Sequence, residues 1–269
     1  MGVVNVTPDS FSDGGRWIET EAAIAHGREL VAAGAAIIDV GGESTRPGAE
    51  RPSAGEELRR VVPVVSALAE AGTVVSVDTM RAEVAAAALA AGAAIINDVS
   101  GGLSDPQMPA LVAESAAPFV VMHWRGHAHD MQSRARYDDV VAEVCAEMLE
   151  RVDVLLAAGA AREQLVLDPG IGFAKTAAHN WQLLSGLERV VDLGYPVLLG
   201  TSRKGFLGSV GRQEGAERPL DSRAVVTAVT SARAARAGVW CVRVHDVTAT
   251  VDALDVATAL GEVRGVGSA

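Results

Sequence analysis

The chain has 269 residues, 49% of them hydrophobic, with a mean hydropathy of +0.23, which excludes a disordered protein and suits one large domain. The formal net charge of -11 excludes a broad nucleic-acid-binding face, while a local basic pocket for an anionic small molecule stays compatible with it. Cys145 and Cys241 lie in apolar surroundings outside any CxxC pair and read as buried thiols, no apolar run approaches about 20 residues, and no signal-like segment opens the chain, so the expected location is the cytoplasm.

In chain order, short apolar strands alternate with longer helical segments. Strand Val3–Val6 runs into the polar loop NVTPDSFSDGG, residues 5–15. Helix Glu19–Ala33 stops at Gly34, and strand Ala36–Val40 leads into DVGGESTRPG, residues 39–48. Helix Gly55–Ala71 stops at Gly72 before strand Val74–Asp78 and DTMR; helix Arg81–Ala91 stops at Gly92 before strand Ala94–Asn97 and NDVSGG. Strand Phe119–His123 with MHWRG is followed by helix Asp138–Ala158, strand Leu165–Asp168 with DPGIGFAK, and a helix near Asn180–Leu193. Strand Val197–Gly200 with GTSRKG, helix Ser222–Ala237, strand Val239–His245 with RVHDV and helix Val247–Leu260 complete the series. Glycine just past a helical run is the usual left-handed cap. The strands are almost wholly apolar, as expected for parallel strands covered on both faces.

Eight such units predict an α/β fold of the (β/α)8 barrel type, one domain over residues 1–269; a doubly wound open sheet is the competitor. Chemically specific residues stand at the C-terminal ends of the strands: Asn5, Asp39, Asp78, Asn97, His123, Asp168, Gly200–Ser202 and Arg243–His245. A barrel brings all eight ends to one face, whereas an open sheet would strand several of them away from a site. Each alone could be a turn or a helix cap.

Three groups carry chemistry. Arg46, Arg243 and His245, with Ser44 and Thr45, suit an anionic group, with an ion pair to a nearby carboxylate as the alternative for Arg243 and His245. Asp78, Asn97 and Asp168 suit an amino-bearing nitrogen heterocycle, internal pairing with Lys204 or arginines being the alternative. The first loop, with Thr7, Asp9, Ser10, Ser12 and Asp13, reads as a lid whose oxygens suit Mg2+, with Asn5 at the strand end as the best ligand. Among 23 basic residues only Lys175 and Lys204 are lysines, and both follow strand ends; a surface role is the alternative, chiefly for Lys175. No HExxH, zinc cysteine set, Walker A motif or GxSxG elbow is present.

These blocks together resemble the dihydropteroate synthases, the pterin-binding family, in an arginine- and alanine-rich, actinobacterial-type version. MGVVNVTPDSFSDGG and DVGGESTRPGA carry most of the resemblance; VSVDTMR, INDVSGG, VVMHWRG, LDPGIGFAKT, GTSRKGFLG and VRVHDV support it. It implies a TIM barrel, usually homodimeric, that condenses 6-hydroxymethyl-7,8-dihydropterin pyrophosphate with p-aminobenzoate, releasing pyrophosphate, with sulfonamides as competitors. It further implies that Asp78, Asn97, Met122, Asp168, Phe173, Lys204 and Arg243 bind the pterin. Asn5, Thr45, Arg46, Arg243 and His245 would meet the pyrophosphate, with Asn5 as Mg2+ ligand. Pro47, Phe173, Lys204 and Gly205 would surround p-aminobenzoate, and Asp13, Thr45, Arg46, Asp168 and Lys204 would be catalytic. Gly205 departs from the serine often found there, which removes a hydroxyl near the expected carboxylate. A catalytically impaired pterin-binding homologue and a pterin-dependent methyltransferase domain are the alternatives.

Overall fold

Among the described residues eight parallel strands supply the frame: β1 (Gly2–Asn5), β2 (Ile37–Gly41), β3 (Val74–Asp78), β4 (Ile95–Asp98), β5 (Phe119–Met122), β6 (Leu165–Asp168), β7 (Leu198–Leu199) and β8 (Cys241–Val242). The structure, a computed structural model, describes residues 1–7, 16–43, 51–127, 131–212 and 216–263, and their side chains apart from residues 16–18 and 221. Strands β1 to β6 pair in sequence order, with Val3 opposite Asp39, Asp39 opposite Ser76, Asp78 opposite Asn97, and Met122 opposite Asp168. Strand β7 pairs with β8, and parallel bridges join Leu167 to Val197 and Gly2 to Val244. Hydrogen bonds from Leu167 N–H to Pro196 O (2.8 Å) and from Val3 N–H to Val244 O (3.1 Å) close the ring. The architecture is a (β/α)8 barrel.

The period-two alternation of a strand explains where polar residues fall. Met1, Ile37, Ile95, Val120, Val166, Leu198 and Cys241 pack together as an apolar plug inside the barrel. The next position bears the opposite face: Ile38, Ile96, Val121, Leu167 and Leu199 join the larger core between strands and helices. Two residues beyond the plug the side chains point inward again, and there stand Asp39, Asn97, Met122, Asp168, Gly200 and Arg243. The barrel thus has a dry lower half and a polar mouth.

The helices are α1 (Arg16–Ala32), α2 (Ala54–Glu70), α3 (Ala82–Ala90), α4 (Met108–Ser115), α5 (Val140–Ala157), α6 (Ala177–Ser185), α7 (Leu187–Val191), α8 (Ala224–Arg236) and α9 (Val247–Ala259). Side-chain caps start several of them: Asp139 accepts from Val141 and Ala142 N–H at 3.0 Å, and Asp246 from Ala249 N–H at 3.0 Å.

Four expectations change. Helix α4 is absent from the sequence reading because it is short, holds Pro109 in its first turn, and ends on Ala116 in the left-handed region rather than on glycine. The helix near Asn180–Leu193 is two helices that meet at Gly186, where an added Cβ would lie 3.1 Å from Val141. Strands β7 and β8 are shorter than expected: a turn from Lys204 N–H to Thr201 O follows β7, and Val239 N–H is still bonded to Ala234 O at the end of α8. Both cysteines are free but half-buried rather than fully buried.

Candidate active site at the barrel mouth

The guanidinium of Arg243, from the end of β8, reaches across the barrel to two carboxylates. Its Nε donates to Asp39 Oδ2 at 2.6 Å and its Nη2 to Asp78 Oδ2 at 2.8 Å. Asn97 Nδ2 donates to the same Asp39 oxygen at 3.0 Å. Residues from β2, β3, β4 and β8 therefore form one bonded cluster, and Asp78 and Arg243 are paired internally. The sequence marks Asp39 as a strand end, and the structure adds it to the site. The available signal was a carboxylate in the middle of the apolar run IIDV, at an inward position.

Asp39 is fully buried, and its Oδ1 and the neighbouring Ser76 Oγ find no hydrogen-bond partner among the described residues. Removal of one partner from such a buried set leaves an uncompensated charge. Burial, aided by the carboxylates of Asp39, Glu57 and Glu43 and opposed by Arg243, pushes the Asp78 carboxyl up to about 7. A carboxyl raised in the fold contributes stability that is complete below its unfolded value of 3.8 and lost as pH rises through about 7. Asp78→Asn is therefore expected to flatten the fall in unfolding free energy between those pH values by on the order of 2 kcal/mol. Denaturant titrations of both proteins at pH 4.5 and 7.5 would check this, and equal losses in the two would refute it.

On the opposite wall, Asp168 ends β6 and Lys204 follows β7. Burial raises the Asp168 carboxyl, against the opposing charges of Lys204, Lys175 and Arg243. Burial likewise brings the Lys204 ammonium down to about 8, with Asp168 holding it up. Lys204 Nζ donates to Ile171 O and lies 4.7 Å from the centroid of the Phe173 ring, a cation–π contact. The loop DPGIGFAK must pass between two walls to reach this position. An added Cβ at Gly170 would stand 2.5 Å from His123 O, and one at Gly172 would stand 2.8 Å from the Lys204 side chain; both glycines have positive φ. Asp168 Oδ1 accepts from Gly170 N–H at 2.7 Å, which turns the chain at its start. Met122 is buried at the end of β5, beside Asp168 in register. Gly205 has open space where a side chain would project.

The rim is basic and polar. His245 Nδ1 lies 2.9 Å from Ser202 Oγ, which also accepts from His245 N–H at 3.1 Å. Ser202 thus fixes the ring, a role the sequence reading did not give it. Asn5, at the end of β1, makes no side-chain hydrogen bond among the described residues. The ends of the second loop are tied together: Arg51 Nε donates to Glu43 Oε2 at 2.9 Å, and Arg81 joins Glu43, buried Glu57 and Pro52 O. The expected site residues Asp13, Thr45, Arg46 and Pro47 lie outside the described residues.

So Asp78, Asn97, Met122, Asp168, Phe173, Lys204 and Arg243 come together around one mouth, with Asn5, Gly205 and His245 on its rim. A flat heterocycle with amide-like and amino edges could exchange hydrogen bonds with the carboxylates and with Asn97. Arg243 in the mouth and His245 on the rim suit an attached anionic group.

A profile of the family described as pterin binding enzyme matches residues 1–245. The chain is 56% identical to the dihydropteroate synthase of Mycobacterium leprae, over 95% of this chain and 91% of that protein. It superposes with a TM-score of 0.89 on the Xanthomonas albilineans dihydropteroate synthase solved with 4-aminobenzoic acid, at 46% identity over 98% of this chain and 93% of that one. A Yersinia pestis dihydropteroate synthase solved as a sulfonamide drug complex also gives 0.89, at 40% identity over 97% and 94% of the two chains.

Proposed function

Because the chain belongs to the pterin binding enzyme family, we propose how its mouth divides the work of a dihydropteroate synthase between its residues. The reaction condenses 6-hydroxymethyl-7,8-dihydropterin pyrophosphate with p-aminobenzoate, giving 7,8-dihydropteroate and pyrophosphate. The observation that carries the assignment of roles is the cluster of Asp78, Asn97 and Arg243 facing Asp168 and Lys204 across one opening.

The pterin lies in the mouth, its amino and ring N–H groups donating to Asp78 and Asp168, with Asn97 reading the amide-like edge. Met122 lines the pocket, and Arg243 turns from its carboxylates to lie along the ring. Lys204 donates to the heterocycle, while Phe173, Pro47, Gly205 and Lys204 surround p-aminobenzoate. The backbone N–H of Gly205 replaces the hydroxyl that a serine would bring. Sulfonamides compete for this second pocket.

The C–O bond to the pyrophosphate breaks first, and its electron pair leaves with the phosphate oxygen. The methylene cation left behind is delocalised into the electron-rich dihydropterin ring. Asp168, Asp78 and Asp13 stabilise that cation electrostatically; well-placed groups of this kind contribute about 3 kcal/mol each. His245, Arg46, Thr45 and Arg243 hold the departing anion. The aniline nitrogen, unprotonated at neutral pH, forms the C–N bond without a base, and the acidic anilinium that results gives its proton to water or to the departing pyrophosphate.

Mg2+ fits the rim in a limited way. Among the described residues no group of three or more His, Cys, Asp or Glu could cage a metal, but Asn5 offers one unengaged amide oxygen, and Mg2+ commonly takes one or two protein ligands plus substrate phosphates. When bound, it supplies charge neutralisation on the diphosphate. Asn5→Ala is expected to raise the Mg2+ concentration for half-maximal turnover by about tenfold while leaving pterin binding near wild type. Turnover measured against Mg2+ checks this, and an unchanged requirement would remove Asn5 from the role.

No helix among the described residues is long and apolar enough to cross a membrane, and the proposed location is the cytoplasm. A homodimer is proposed through the packed helices α8 and α9, where Val225, Val229 and Val256 are exposed, as are Leu220 before α8 and Leu260 after α9. The decisive assay is pyrophosphate release by the purified protein. It should require Mg2+ and be matched one for one by 7,8-dihydropteroate when p-aminobenzoate is present; no dihydropteroate with both present would overturn the assignment.

A further inference from the structure

Lys175 is one of the chain's two lysines, and the proposed chemistry leaves it unused. It is buried, yet among the described residues it is not paired directly to a carboxylate. Its ammonium lies 3.1 Å from Gly170 O, 3.1 Å from Phe173 O and 2.9 Å from His123 Nδ1. His123 is the residue after inward-facing Met122, so its ring points out of the barrel toward α5. There its Nε2 lies 3.0 Å from Glu147 Oε2. With His123 held neutral by burial, the chain of contacts has one consistent proton assignment. Glu147 accepts from Nε2–H, which leaves Nδ1 as an acceptor, and the three N–H bonds of a charged ammonium fill Nδ1 and the two carbonyls. A neutral amine has two N–H bonds and would leave one acceptor unfilled.

The two carbonyls flank Ile171, whose own carbonyl receives Lys204, and one of them belongs to Phe173 itself. Lys175 therefore clamps both ends of the segment that shapes the second pocket. We propose that Lys175, held through His123 by Glu147, is a positioning residue that fixes the Gly170–Phe173 segment so that Phe173 and Lys204 present the p-aminobenzoate pocket. This rests on the role of that pocket given above.

Charge on Lys175 is finely balanced. Burial pushes its ammonium down to about 7, Asp168 and Glu147 raise it, and Lys204 and Arg125 lower it further. Every packed element contributes a charged or titratable neighbour. Asp168 comes from β6 and Lys204 from beyond β7. His123 and Arg125 follow β5, and Glu143 and Glu147 come from α5. Tyr137, with its ring 6.0 Å from Nζ, precedes α5, and His179 of α6 stacks edge-on against that ring. Burial pushes His123 down to about 4, so it is neutral when Lys175 titrates. The clamp therefore slackens as pH rises through about 7, and Glu147→Gln, which removes an anion that holds the ammonium charged, moves this transition to lower pH.

The test is steady-state kinetics of wild type, Lys175→Met and Glu147→Gln from pH 6 to 9, with thermal unfolding of each. Lys175→Met should raise KM for p-aminobenzoate about tenfold with kcat falling less than about threefold. It should also lose the loss of kcat/KM centred near 7, keeping the one near 8 that belongs to Lys204. In Glu147→Gln, whose carboxylate is half-exposed, the same transition should appear at lower pH. This variant carries the test if Lys175→Met does not fold. Wild-type KM in Lys175→Met, or an unmoved transition in Glu147→Gln, would overturn the clamp while wild-type turnover stands. An inactive wild type would instead overturn the reading on which the clamp rests.

Discussion

Arg243→Met is expected to destabilise the protein by about 3 to 5 kcal/mol and to weaken pterin binding at least about a hundredfold. The guanidinium is the one cation bonded to both Asp39 and Asp78 among the described residues. Methionine keeps much of the volume but leaves a fully buried carboxylate facing a second one. Burial opposes the charge on the guanidinium, yet Asp39 and Asp78 hold it above its usual range, which states the same coupling from the other side. The instability should be greatest near pH 8 and shrink toward pH 4, as protonation of Asp78 relieves the unpaired charge. The double variant Arg243→Met with Asp39→Asn should recover stability but not binding. Chemical denaturation at the two pH values and calorimetric titration with the pterin would check both parts. A single variant as stable as wild type would show that the cluster does not depend on its cation.

Asp168→Asn is expected to lower kcat/KM by about a thousandfold, and by more as pH rises. The asparagine can still accept the Gly170 N–H bond, so the turn after β6 is retained. What disappears is the anion that supports the ammonium groups of Lys204 and Lys175 and, in the proposed mechanism, the cation formed on the pterin. Lys204, already brought down to about 8 by burial, loses the charge that opposes that fall. Its ammonium should then neutralise at lower pH, and the activity profile should narrow on its alkaline side. Kinetics from pH 6 to 9 measure this. A uniform loss at every pH would separate Asp168 from Lys204 and leave the carboxylate with a role on the substrate alone.

The inner plug and the site above it follow from one alternation. Ile37 and Asp39, Ile95 and Asn97, Val166 and Asp168, and Cys241 and Arg243 are pairs two residues apart on a strand. The strand ends were legible because a polar residue that closes an apolar run is conspicuous, and the barrel was legible because eight such ends need one face. Asp39 was read as an end and passed over, since its partners lie far along the chain, at Asn97 and Arg243. Ser202 was passed over for the same reason, its partner being His245. Helix α4 lacked the glycine that marked its neighbours, and Gly186 divided a helix because Val141, distant in sequence, leaves no room there.

The sequence by itself determined the order of the strands and of most helices between them, the face on which chemistry collects, and the family. Local preferences, the period of two and contiguous motifs are all short-range and survive in a linear string. Only the tertiary structure decided which charges neutralise which: that Arg243 bridges two carboxylates, that Lys204 rests on Phe173, and that Lys175 is clamped behind the wall by His123 and Glu147. Such pairings depend on distances of about 3 Å and on exclusion of water. Those conditions exist once the ring of strands has closed.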